Sequence, residues 1–129
     1  MNRQMILYCE QNYTPSTSTG FLLELAGYQV VYVKGLEEAI NWLSLYGDQQ
    51  PQPAMVLVTG RWSEVRKSNF LEGLCRQEGE RPLLLLDVQG GLARQLFFQG
   101  ESLAEKELPL APAQSLVASI LGHKVSSKE

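Results

Sequence analysis

The chain has few cysteines and histidines and no long apolar run. Cys9, Cys75 and His123 are its only residues of these two types. The cysteines lack metal-ligand spacing and are too few for the disulfide framework of a small secreted domain, so we predict free thiols. No stretch approaches the roughly 18 consecutive apolar residues of a membrane span. We therefore expect a cytoplasmic protein without a membrane segment.

Basic residues are also scarce. Lysine and arginine together number 11, against 14 acidic residues, which gives a formal net charge of -3. Nucleic-acid phosphates are bound by clustered lysine and arginine, and the small group of Arg61, Arg66 and Lys67 does not make such a surface. We therefore expect no nucleic-acid binding by this domain.

The length and composition fit one globular domain. With 129 residues, of which 44% are apolar, the chain is long enough to bury one core and too short for a second. We assign residues 1–123 to this domain. Residues 124–129 form a polar tail or the start of a linker.

Short apolar runs alternate along the chain with segments of helical periodicity. The runs are rich in aliphatic residues and suit strands buried on both faces of a parallel sheet. They occupy residues 5–9, 29–33, 55–58 and 83–86. A fifth and more charged run, at 102–108, is predicted to be an edge strand, because charge protects an edge from unwanted pairing.

Five helices are predicted between and after these strands. The second is the plainest, because Leu36, Ala39, Ile40 and Leu43 form one apolar stripe. Caps, apolar stripes and glycines indicate the other four helices. The first begins at Thr14 and Pro15, with Phe21, Leu22 and Leu25 on its inner side, and the third begins after Ser63 and ends at Gly79. The fourth contains Leu92, Ala93, Leu96 and Phe97 and ends at Gly100, and the fifth occupies 113–121.

Strands that alternate with helices predict an α/β fold. Repeated right-handed crossovers give a parallel sheet with helices on both faces. We predict a flavodoxin-like doubly wound (βα)5 fold with a five-stranded parallel sheet in the order 2-1-3-4-5. Its functional crevice lies at the carboxyl ends of the strands, where the sequence places Glu10, Gln11, Thr59, Asp87 and Leu108.

Five segments resemble, in order and spacing, the landmark segments of response-regulator receiver domains. The resemblance covers nearly the whole chain and rests on apolar pattern, the turn at Gly27 and Tyr28, and Pro109. Reactive residues contribute little to it. The segments are residues 5–11, 25–30, 53–59, 81–87 and 108–116.

The resemblance implies a phosphorylation site whose residues have largely been replaced. In that family two acids after the first strand and an aspartate after the third hold Mg²⁺, and the aspartate accepts the phosphoryl group. A serine or threonine after the fourth strand and a lysine after the fifth contact that group. Here Glu10 keeps one acidic position, while four positions differ: Gln11 at the second acid, Thr59 at the acceptor, Asp87 at the serine or threonine, and Leu108 at the lysine.

The missing acceptor decides the expected chemistry. No aspartate or glutamate lies between Asp48 and Glu64. The hydroxyl of Thr59 is a poor nucleophile without an adjacent base, and it would form a stable ester. Glu10 and Asp87 alone would be weak ligands for a hard cation, which takes six or more oxygens. We therefore expect no catalytic residue, no metal and no cofactor.

Two points of this assignment stay open. A register shifted by one would place Cys9 and Glu10 at the acidic pair, and Lys106 or Glu107 near the lysine position. It would supply no acceptor. Trp62 follows the third strand, where packing over a helix end is favoured over the alternative of a partner contact.

These expectations favour a degenerate receiver that signals through protein partners. In receivers the fourth helix, fifth strand and fifth helix form the common partner surface, here residues 92–121. The partner would be a second copy or an attached output domain. Glu107 to Leu110 and the helix that follows are similar to the end of the amino-terminal receiver-like domain of sigma-54-dependent transcriptional activators, which implies ATPase and DNA-binding regions beyond Glu129.

Two alternatives belong to other classes of function. A flavodoxin-like enzyme or small-ligand-binding domain would use the same crevice for an anion or nucleotide, and it would need a glycine-rich turn and basic residues at the strand ends. A receiver phosphorylated on an unrecognised carboxylate is the other. The lack of an acid after the third strand counts against it.

Overall fold

The computed structural model describes residues 4–10, 17–46, 53–67, 69–76, 82–87, 91–99, 102–109 and 111–121. Several sequence predictions fall outside these residues and stay predictions. They concern Gln11, the helix start at Thr14 and Pro15, the helix ends at Gly79 and Gly100, and the tail at 124–129.

The described residues form six strands and five helices. The strands are β1 (Met5–Glu10), β2 (Gln29–Lys34), β3 (Pro53–Thr59), β4 (Leu83–Asp87), β5 (Leu92–Gln99) and β6 (Ser102–Leu108). The helices are α1 (Thr17–Leu25), α2 (Gly35–Tyr46), α3 (Trp62–Val65), α4 (Asn69–Arg76) and α5 (Ala113–Leu121). None of these helices is long and apolar enough to cross a membrane.

All six strands belong to one mixed sheet in the order β2-β1-β3-β4-β5-β6. β1 pairs in parallel with β2 and with β3, and β3 pairs in parallel with β4. β5 is antiparallel to β4, and β6 is antiparallel to β5. β6 therefore runs in the same direction as β4 but lies two strands away, at the edge of the sheet.

The predicted flavodoxin-like fold with five parallel strands is therefore wrong. The first four strands lie where the apolar runs placed them, and 102–108 is an edge strand as predicted. The segment predicted as the fourth helix is instead β5, inserted between β4 and β6. The partner surface predicted over residues 92–121 accordingly contains no fourth helix.

Burial explains why the hairpin of β5 and β6 replaces a helix and a strand. Every residue of β4 is buried, so the strand needs a hydrogen-bonded neighbour on both sides. In the predicted sheet that neighbour would be β6, whose Glu105, Lys106 and Glu107 are exposed. Charged side chains are costly directly beside a strand that is buried on both faces. With β5 in between, Ala93 and Leu96 fill that place at 0% and 2% exposure.

The core consists of two layers, one on each face of the sheet. The first face packs against α2, α3 and α4 through residues such as Leu36, Val65 and Leu71. The second face packs against α1 and α5 through Leu23 and Val117. Strand side chains alternate between the two layers, as the period of two requires.

Two helix predictions also need correction. The third predicted helix is two helices, α3 and the longer α4. In α1 the inward side chain is Leu23, which is fully buried, whereas Phe21, Leu22 and Leu25 are exposed. The predicted inner side of α1 is thus its outer side.

Adjacent substitutions in β5 test whether this segment is a strand. Leu96→Ala should lower the free energy of unfolding by about 2–5 kcal/mol, because it leaves a cavity in the first layer. Phe97→Ala should cost much less, since the ring points to the opposite face and is 39% exposed. Urea unfolding followed by circular dichroism measures both. Equal, large losses would favour the helix, which buries both side chains.

Candidate functional site

Three polar residues lie at the neighbouring carboxyl ends of β1, β3 and β4. Glu10 is the last residue of β1 and lies directly opposite Thr59, the last residue of β3. Thr59 in turn lies opposite Leu86, one residue before Asp87 at the end of β4. We refer to Glu10, Thr59 and Asp87 as the strand-end cluster.

Thr59 occupies the centre of the strand-end cluster. Its strand is flanked by β1 and β4, and the next residue, Gly60, donates its backbone N–H to the carbonyl of Leu86 at 3.1 Å. The threonine hydroxyl carries no negative charge. Because an acyl phosphate requires a carboxylate, this position cannot form one.

Asp87 is engaged in holding a helix. Asp87 is buried, with 6% of its surface exposed. Its carboxylate accepts the backbone N–H of Trp62 at 2.9 Å. Trp62 begins α3, and a first-turn N–H has no partner within the helix. The preceding Arg61 supplies no side-chain cap, so the cap comes from β4. A negative charge there also interacts favourably with the positive end of the helix dipole.

Trp62 also connects the strand-end cluster to the hairpin. Its side chain packs against the first-face layer, and the guanidinium carbon of Arg94 lies 5.6 Å from the centre of its ring. The same guanidinium forms an ion pair with Glu105 of β6 at 2.5 Å. Asp87, Trp62, Arg94 and Glu105 thus form a continuous series of contacts from β4 to the sheet edge.

Sequence reasoning missed Arg94 because it placed this residue on a helix. In β5 it shares a face with Leu92 and Leu96, as residues two apart on a strand do. The sequence signal that could have placed it on a strand is the pair Gly100 and Glu101, because a two-residue connection that starts with glycine is typical of a hairpin. The ring of Trp62 packs within the chain, and the alternative of a partner contact at this residue stays untested.

Leu108 does not adjoin the strand-end cluster. It ends β6 opposite Ala93 of β5 and packs against the second-face layer. With neighbouring strands roughly 4.8 Å apart, β6 lies about 10 Å from β4 across the sheet. Leu108 is therefore one strand further from Thr59 than it would be if its strand paired with β4.

Glu10 lies in an aromatic surrounding. The hydroxyl of Tyr8 donates to its carboxylate at 3.5 Å, a long hydrogen bond, and the ring of Tyr8 lies 5.5 Å from that of Tyr32. Burial, followed by the charges of Glu24 and Glu10 and a hydrogen bond with Glu24, raises the pKa of Tyr32. These contacts keep the tyrosine neutral and do not prepare it as a base.

Cys9 directly precedes Glu10 of the strand-end cluster, and it is buried. Burial raises its pKa to about 12, and the charges of Glu38 and Glu10 add to this effect. A thiol is a nucleophile only when ionised. The arrangement therefore keeps Cys9 inert near neutral pH.

No metal-binding group is evident in the part of the chain that the structure describes. Three or more histidine, cysteine, aspartate or glutamate side chains nowhere come together there. Glu10 and Asp87 lie on strands separated by β3, and Asp87 already accepts a backbone N–H. The cluster thus offers a hard cation few oxygen ligands.

Comparison with known proteins assigns no family to the chain. No protein-family model, no curated protein and no solved structure matches it. The resemblance to receivers therefore rests on the sequence segments themselves. It stays a prediction.

Replacing Asp87 tests its role as a cap. Asp87→Ala should lower the free energy of unfolding by about 1–3 kcal/mol, because the part-buried N–H of Trp62 loses a carboxylate acceptor. Asp87→Asn keeps one acceptor oxygen and should lose less. Urea unfolding followed by tryptophan fluorescence measures both variants. Wild-type stability for Asp87→Ala would show that the cap contributes nothing.

Thiol labelling tests the state of Cys9. In a Cys75→Ser background, the native protein at pH 8 should resist a thiol reagent that labels the unfolded chain completely, since roughly one thiol in 10,000 would be ionised. The pKa of the Cys9 thiol is higher in the folded protein than in the unfolded chain. Its contribution to the free energy of unfolding is therefore complete below about pH 9 and is lost as the pH rises towards 12. Rapid labelling of the native protein would contradict the raised pKa.

Proposed function

We propose that this chain is a receiver-like protein-interaction domain of a two-component-type signalling or transcription regulator, and that it acts without aspartyl phosphorylation. The observation that carries the proposal is Thr59 at the end of β3, opposite Glu10. This is the position at which receivers, by the resemblance of the segments, have their phosphate acceptor. A hydroxyl here supports no labile acyl bond.

The surroundings of Thr59 support the same conclusion. The carboxylate of Asp87 is buried and one of its oxygens caps α3, so that this oxygen is already engaged within the fold. On the far side, β5 separates β4 from β6. A lysine of β6, such as Lys106, therefore does not lie on the strand next to Asp87, from which it would neutralise a phosphoryl group.

The charges of the strand-end cluster count against a catalytic or anion-binding role, although Lys34 ends β2 opposite Glu10. Glu10 and Asp87 contribute two carboxylates and Thr59 a hydroxyl. An anion or nucleotide site would need basic side chains or free backbone amides here. The amides of Gly60 and Trp62 are already hydrogen-bonded within the chain, to Leu86 and Asp87. An interaction domain needs no such groups.

Phosphoryl transfer to the intact protein tests this proposal. Incubation with radiolabelled acetyl phosphate and Mg²⁺ should leave no label, because no carboxylate stands at the end of β3. A phosphorylatable receiver treated in parallel serves as the control for the reagent. Intact-mass spectrometry provides a second readout. A base-labile, hydroxylamine-sensitive label on this chain would contradict the proposal.

A further inference from the structure

Helix α1 leaves most of its apolar side chains in water. The exposed fractions are 56% for Phe21, 39% for Leu22 and 66% for Leu25. Leu25 lies one turn beyond the other two, three residues from Leu22 and four from Phe21, so that it neighbours both on the helix surface. We call them the α1 outer face.

The orientation of α1 is fixed by a close approach on its other side. Gly20 faces the ring of Tyr32 in β2 so closely that a side chain at this position would overlap the phenol group. Leu23, one turn further, is fully buried in the second-face layer. If the helix rotated to bury its outer face, a residue with a side chain would replace Gly20 at this contact and would overlap Tyr32.

The α1 outer face also carries no charge. Glu24 is the only charged residue of α1, and it hydrogen-bonds with Tyr32 on the side facing β2. A helix that is apolar around most of its circumference is usually buried all round. The inner side of α1 is covered by β2 and α5, whereas the outer face is not covered by any part of the chain that the structure describes.

We infer that the α1 outer face is covered by the α1 outer face of a second copy of this chain. A two-fold axis brings identical residues together, which on this face places apolar side chains against apolar side chains without like-charge repulsion. Homodimer interfaces are more apolar than those between different proteins. A different partner would usually be selected by charge complementarity, and this face offers none.

The opposite edge of the sheet suits a second copy poorly. Antiparallel pairing of two β6 strands about Lys106 would set the two lysines against each other and each Glu105 against a Glu107. Pairing about Glu105 would set the two glutamates against each other. Like charges directly opposite destabilise a strand pair. Self-association of β6 in these two registers is therefore disfavoured.

The size of the α1 outer face predicts a modest affinity. An aromatic side chain buries roughly 150–250 Å² when covered, so the exposed part of Phe21 offers on the order of 100 Å². Three such side chains give on the order of 300 Å², comparable with the largest patches that monomers expose. A stable interface needs roughly 800 Å² from each partner. The face would form the centre of a dimer interface that exchanges with monomer.

Sedimentation equilibrium of the full chain at rising concentration tests this inference. The wild-type protein should show a monomer–dimer equilibrium. Leu25→Glu should raise the dissociation constant at least about tenfold, because it replaces an apolar contact by two like charges across the axis. Leu45→Glu is the matched control, since Leu45 is an equally exposed leucine, at 69%, on a different helix. It should leave the dissociation constant unchanged.

Two results would overturn the inference. One is a wild-type protein that stays monomeric at every concentration, and the other is an equal effect of Leu25→Glu and Leu45→Glu. Circular dichroism confirms that each variant is folded, and Phe21→Gln replaces Leu25→Glu if that variant is not. The inference rests on the proposed interaction function but fails separately from it: a monomeric protein would overturn the dimer, and phosphoryl labelling would overturn the proposed function.

Discussion

The complete burial of β4 is the constraint on which the rest of the structure depends. A strand buried on both faces needs hydrogen-bonded neighbours along both edges. β3 supplies one, and β5 supplies the other because its side chains tolerate burial better than those of β6. The charged strand β6 is then left at the edge, where exposure of Glu105, Lys106 and Glu107 is favourable. One buried strand thus determines the order of half the sheet.

The same strand also shapes the strand-end cluster. β4 ends in a buried carboxylate, and burial of a charge is tolerated only with a hydrogen-bonding partner. The first N–H of α3 is that partner, so the polar end of β4 positions the segment that follows Thr59. Arg94 lies over Trp62 because β5 lies beside β4. The carboxylate of Asp87, the amide of Trp62 and the guanidinium of Arg94 could otherwise bind a ligand, but here they stabilise the fold.

Sequence reasoning succeeded where one physical signal dominated. The runs at β1, β3 and β4 are aliphatic and short, and their predicted burial between two layers of helices is confirmed. The same prediction is wrong for β2, an edge strand in which only Val33 is buried. Sequence reasoning also failed at β5, because Leu92, Ala93, Leu96 and Phe97 also have helical spacing. Only tertiary pairing decides between the two periods. The two-residue connection between β5 and β6 was a hairpin signal that the helical pattern concealed. The wrong inner side of α1 has a similar cause, since Gly20 determines it through contact with Tyr32.

We propose that internal contacts hold the strand-end cluster and that the cluster does not respond to phosphoryl chemistry. The most direct measurement is a titration of the isotope-labelled protein with Mg²⁺ and beryllofluoride, which mimics an acyl phosphate, followed by the NMR signals of the Gly60 and Trp62 amides. We expect both signals to stay in place, because Asp87 and Leu86 already accept these amides. A saturable, Mg²⁺-dependent shift of either amide would contradict the account.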